Sequence, residues 1–80
     1  MNTSAVKSRE PLALDVRFDA ATMSVSLQDG RELRIPLAWF PKLKQATPAQ
    51  RKRWRFIGKG VGIHWDAIDE DLSVSSLLGG

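Results

Sequence analysis

The chain reads Leu12-Ala13-Leu14-Asp15-Val16-Arg17-Phe18, then Met23-Ser24-Val25-Ser26-Leu27, then Glu32-Leu33-Arg34-Ile35. In each stretch apolar residues hold alternate positions: Leu12, Leu14, Val16 and Phe18; then Met23, Val25 and Leu27; then Leu33 and Ile35. Side chains on a strand point alternately to its two faces, so this spacing makes half-buried strands. Three such runs in succession predict an antiparallel meander.

Facing residues in neighbouring strands must point to the same side of the sheet, and that parity fixes the turns. A four-residue loop, Asp19-Ala20-Ala21-Thr22, sets Phe18 opposite Met23 and Val16 opposite Val25. A two-residue Asp29-Gly30 turn would oppose Leu27 to Glu32, core to solvent. A three-residue loop, Gln28-Asp29-Gly30, instead pairs Leu27 with Arg31 and Val25 with Leu33. It also puts Gly30 at the left-handed bulge position that favours glycine.

Beyond Ile35, Pro36 ends the third strand. Leu37, Phe40 and Leu43 have helical spacing with Trp39 beside them, and Pro41 either occupies the first turn of that helix or breaks it. Thr47-Pro48-Ala49-Gln50 is a capping box with proline at the first helical position. It predicts a helix from Pro48 to about Phe56, stopped by Gly58-Lys59-Gly60. Val61, Ile63 and Trp65 alternate with Gly62, His64 and Asp66 as a fourth strand, and Ser73 can cap a final helical turn through Leu78. The expected fold is therefore α+β: a three-stranded antiparallel β-meander, one or two helices, a fourth strand and a short C-terminal helical turn.

Eighty residues hold one modest core, which at this size supplies on the order of 3–5 kcal/mol. Residues 1–10 are polar and aperiodic and read as a disordered arm, leaving 11–80 as a single domain. There is no cysteine, which suits a reducing compartment, and the N-terminus has no apolar signal core. A cytoplasmic protein with no membrane role is the expectation. Self-association into a homodimer is one way to enlarge so small a core.

The net charge of +3 is a mild basic excess, below that of a dedicated nucleic-acid binder. Its distribution is uneven. On the expected helix, Arg51, Lys52 and Arg55 share one arc of roughly 100°. They form a candidate nucleic-acid contact, set against the simpler reading of a solvated face. Arg53 falls among apolar residues on that helix and is expected in an ion pair with the Asp69–Asp71 segment, through Asp69 or Asp71. Asp69-Glu70-Asp71 precedes the capped final turn, where the helix dipole favours carboxylates, and it lacks the ligand spacing of a calcium loop. His64 and Asp66 share a strand face, but no motif implicates a serine or cysteine nucleophile and no metal-ligand spacing is present. Structural hydrogen bonding is the expectation for His64. No catalytic residue, metal or cofactor is implied. Trp39, Phe40 and Trp65 form the candidate partner-binding surface, because large rings beyond the needs of a small core mark interfaces.

The succession Pro36-Leu37-Ala38-Trp39-Phe40-Pro41, Thr47-Pro48 with Gln50-Arg51 and Trp54, Ile63-His64-Trp65, and Asp69-Glu70-Asp71-Leu72-Ser73 with Leu77-Leu78 resembles the bacterial family known as domain of unknown function 2442. The resemblance starts near Leu12, includes Asp29-Gly30 and continues to the C-terminus. It implies a compact α+β domain with no established reaction or cofactor. Some family members are joined to helix-turn-helix segments, and others are encoded beside small partner proteins in arrangements like toxin–antitoxin pairs. The resemblance therefore implies a non-enzymatic, regulatory or protein-interaction role with a small protein partner encoded nearby. The alternative is nucleic-acid binding through the basic helix 51–55.

Overall fold

The computed structural model describes residues 11–79, so the arm expected over residues 1–10 lies outside the described residues. Two three-stranded antiparallel sheets make up the fold, each a meander. The first contains β1 (Ala13–Phe18), β2 (Thr22–Leu27) and β3 (Glu32–Pro36), and the second contains β4 (Trp54–Ile57), β5 (Gly62–Trp65) and β6 (Glu70–Ser73). Between the sheets come a 3-10 turn (Leu37–Trp39), α1 (Pro41–Gln45) and α2 (Pro48–Arg51), and α3 (Val74–Leu77) follows β6.

The first sheet has the register that parity predicts. Phe18 pairs with Met23 and Val16 with Val25, and Val25 pairs in turn with Leu33. The Leu27 N–H donates to the Arg31 carbonyl at 2.8 Å, closing the three-residue loop. Gly30 takes φ +96°, a conformation a Cβ would oppose. At the other turn, Asp19 accepts the Ala21 and Thr22 N–H groups at 2.9 and 2.7 Å. This is the side-chain-to-backbone bonding that makes aspartate a turn residue.

The strict alternation expected for β1 fails at its start. Val16 is buried and Phe18 half-buried as expected, but Leu14 is 57% exposed and Ala13 takes the core position. A register shift between Ala13 and Asp15 inserts an extra residue and reverses the side-chain parity above it. The shift coincides with an outside attachment: the Ala13 N–H donates to the Gly60 carbonyl of the second sheet's first turn, at 2.8 Å.

The capping box at Thr47 forms as expected, with the Thr47 hydroxyl accepting from the Gln50 N–H and the Gln50 side chain accepting from the Thr47 N–H. The helix it opens does not reach Phe56. It ends at Arg51, and Trp54–Ile57 is a strand. Packing explains the difference. On a helix, Trp54 and Phe56 would lie about 200° apart and could not bury on one face. On a strand they share a face, opposite Trp65 and Ile63. Gly58, Lys59 and Gly60 therefore turn a hairpin rather than end a helix. The expected fourth strand is the centre of a second meander, and Glu70–Ser73 is a further strand beyond it. Ser73 does cap the last helical turn, accepting the Ser76 N–H at 3.0 Å.

A single apolar cluster joins the two sheets. Met23, Val25, Ile35, Leu37, Leu43, Ile63, Trp65 and Val74 are nearly or fully excluded from solvent. The Phe18 ring meets Trp65 edge-on with centroids 6.4 Å apart, an arrangement the ring quadrupoles favour. The Val74 N–H donates to the Val61 carbonyl at 2.9 Å, which carries the β5–β6 ladder into α3.

Candidate functional site

Of the aromatic residues expected at a partner surface, the structure separates Trp39 and Phe40 from Trp65. The segment carrying the first two starts at Pro36, whose φ of −63° leads into the 3-10 turn. Leu37 plunges into the core at 0% exposure, and its N–H donates to the Ala21 carbonyl at 2.9 Å. Pro41 occupies the first turn of α1, where its missing N–H costs nothing. The backbone is thus held on both sides by a proline and from below by Leu37. Three-residue periodicity then leaves Trp39 pointing outward at 66% exposure, with Phe40 half-buried beside it. Lys42 and Lys44 follow on α1, and the Lys42 ammonium donates to the Asp69 carbonyl at 2.9 Å, tying α1 to the β5–β6 turn.

Trp65 is a core residue. It is wholly buried, and its indole N–H donates to the Arg51 carbonyl at 3.0 Å. The expectation that it contributes to a contact surface is corrected: Trp65 sits at the centre of the core, opposite Trp54, on the one strand of the second sheet that has neighbours on both sides.

The basic helix does not exist as a unit. Arg51 ends α2 and turns its guanidinium back onto α1, donating from Nε to Leu43 O and from a terminal nitrogen to Lys44 O, both at 2.8 Å. Those carbonyls lie at the C-terminal end of α1, where the helix dipole attracts a cation, and Leu43 O also accepts the Ala46 N–H at 3.2 Å. Lys52 is exposed in the turn that follows, and Arg55 lies on β4 opposite His64 with its guanidinium 3.5 Å from Asp66. The three cations therefore share no helix face. A shallow depression of about 170 Å³ lies beside Arg51 and Lys52, walled by Phe18, Asp19, Ala20 and Pro48. It is smaller than the roughly 300 Å³ at which small-molecule sites usually begin.

Arg53 is exposed and makes no ion pair among the described residues, which corrects the expected bridge to Asp69 or Asp71. That bridge assumed a helix that would have placed Arg53 against apolar neighbours. Asp71 is taken by His64 instead. Register does this: β4, β5 and β6 set Arg55, His64 and Asp71 side by side across the outer face of the second sheet. The His64 Nδ1 meets the Asp71 carboxylate, and its Nε2 lies 2.6 Å from Asp66 Oδ1. With an acceptor at each nitrogen, the ring is stabilised as the doubly protonated imidazolium. Asp71 chiefly raises its pKa above the ordinary 6.5, partial desolvation opposes the rise, and Asp66 adds to it. The Asp66 carboxyl is held below its usual range, first by Arg55 and then by His64. The arrangement is a cross-strand charge row, and it gives His64 the hydrogen bonds expected of it. Its Asp71 partner was not readable locally, because Glu70–Ser73 has weak strand character.

The described residues define a small two-sheet α+β domain that carries an exposed, backbone-fixed tryptophan on one turn and a paired row of Arg55, Asp66, His64 and Asp71 on its second sheet. The chain belongs to the family described as protein of unknown function DUF2442, whose model matches residues 13–80. It is similar to a protein of unknown function from Rhodospirillum rubrum ATCC 11170, known from a crystal structure. The two are 32% identical, and the match covers 90% of this chain and 89% of the other with a TM-score of 0.77. The search of curated proteins gave no match.

Proposed function

We propose that this chain is a non-enzymatic protein-interaction or regulatory module that docks a small protein partner encoded nearby, in the manner of the antitoxin-like member of a two-gene pair. The observation that carries this reading is Trp39, 66% exposed on a turn fixed by Pro36, Leu37 and Pro41. A tryptophan held rigid in solvent loses little conformational entropy on binding and offers a large area to desolvate, as binding hot spots do. The half-buried Phe40 extends the apolar surface, and Lys42 and Lys44 give it a basic border suited to an acidic rim on the partner. The lack of cysteine fits work in a reducing cytoplasm.

The nucleic-acid alternative loses the feature that motivated it, since Arg51 is committed to the carbonyls of α1 and Arg55 to Asp66.

Co-expression with the product of the neighbouring gene, followed by size-exclusion chromatography, tests the proposal. A co-eluting complex is expected for the native chain and for Leu14→Lys, and its loss is expected for Trp39→Ala with the fold retained. Separate elution of the two native proteins would refute it.

A further inference from the structure

We propose that two copies of this chain pair through the outer edge of β3, antiparallel about a two-fold axis at Leu33, to form one continuous six-stranded sheet. β3 ends the first sheet, and among the described residues no element other than β2 runs alongside it. The alternation of an antiparallel ladder shows which backbone groups face outward. The Leu27 N–H bonds to Arg31 O and the Leu37 N–H to Ala21 O, so every second residue of β3 between them, Leu33 and Ile35, directs its N–H and C=O toward β2. Glu32 and Arg34 direct theirs away. Pro36, with no N–H, falls opposite Thr22 at a position that needs none.

The outward groups form a self-complementary template. With Leu33 opposite Leu33, Glu32 faces Arg34 of the second copy and Arg34 faces Glu32, each pair exchanging both backbone bonds. That gives about four interchain hydrogen bonds. The same register sets opposite charges side by side on the solvent face, and it joins half-buried Leu33 to its counterpart on the core face. A slip of two residues in one direction would set Glu32 against Glu32, and in the other Arg34 against Arg34. A slip of one would exchange the two faces of the sheet. Charge therefore selects one register.

Pairs already within the chain extend the pattern. Arg17 bridges to Glu32, and Arg34 lies 3.8 Å from Asp19. Across the axis the outer face would then read Arg17, Glu32, Arg34, Asp19, with signs alternating throughout. Of the other edges, β1 is bulged after Ala13 and its Ala13 N–H is already taken by the Gly60 carbonyl of the second sheet. β4 carries Arg55 at its centre, and β6 carries both Glu70 and Asp71, so like charges would meet or crowd in a self-pair.

Sedimentation of the 80-residue chain over a concentration series up to millimolar tests the proposal. Dimer, at twice the 8.9 kDa chain mass, should appear as concentration rises and weaken with added salt. Glu32→Arg and Arg34→Glu should each weaken self-association by at least about tenfold, because like charges then face across the axis. Mixed together, the two variants should recover a dimer, since each now supplies the charge the other lacks. Arg34→Pro, which removes an outward N–H and leaves the β2 ladder intact, should be monomeric and folded. A native chain that stays monomeric throughout, or a dimer that persists in Arg34→Pro, would overturn the proposal. So would folded charge variants that fail to pair on mixing. If a charge variant loses its fold, the native chain and Arg34→Pro decide the matter.

Discussion

Trp65 is enclosed on every side and Trp39 stands 66% in solvent, so the same truncation should have opposite consequences. Trp65→Ala removes a ring packed against Phe18 and leaves the Arg51 carbonyl without its donor. A loss of about 3–5 kcal/mol is expected. That equals the whole stability of a domain this size, so the variant should show no cooperative melting transition by circular dichroism. Trp39→Ala should melt within a few degrees of the native chain. His64 makes a third residue-level prediction. Its folded pKa is raised above the unfolded 6.5, so the stability it adds is complete below about 6.5 and is lost as pH rises through the folded value. Melting temperature should therefore fall as pH climbs above about 6.5, and His64→Gln should remove that dependence. A native chain whose melting temperature stays flat over that range would contradict the imidazolium assignment.

At the scale of elements, the sequence was readable wherever local pattern and tertiary packing agreed. The meander of β1, β2 and β3 follows from alternation and turn chemistry, and its register holds residue by residue from Asp15 onward. The caps at Thr47 and Ser73 were likewise legible, since a capping box needs only its own neighbours. The failures have a common cause. The bulge at Ala13 and the strand at Trp54 are imposed by partners distant in sequence, Gly60 for the one and Ile63 and Trp65 for the other. A correct helix start gave no information on where the helix stops. The candidate site divides the same way. Trp39 was visible as a ring in a proline-bracketed segment, whereas the roles of Arg51 and Asp71 depend on contacts no local window contains. The bulge supplies a test: Leu14→Lys should cost less than about 0.5 kcal/mol in urea unfolding, as at other exposed sites. A cost of several kcal/mol would mean that Leu14 faces the core after all.

At the scale of the molecule, the two sheets are joined by one apolar cluster and by a close backbone approach at Gly60. That glycine has φ +108°, and a Cβ there would lie 2.5 Å from the Ala13 carbonyl oxygen. Gly60→Ala should therefore destabilise the chain by more than about 2 kcal/mol, through strain and loss of the inter-sheet bond together. On this frame the proposed docking surface for a protein partner is the exposed turn at Trp39. Proton–nitrogen correlation spectra of the labelled chain, recorded as the neighbouring gene product is added, test that conclusion most directly. The Trp39 indole signal and the amides of residues 36–44 should shift while the Trp65 indole stays in place. Shifts centred on Lys52, Arg53 and Arg55 with Trp39 unmoved would contradict the account.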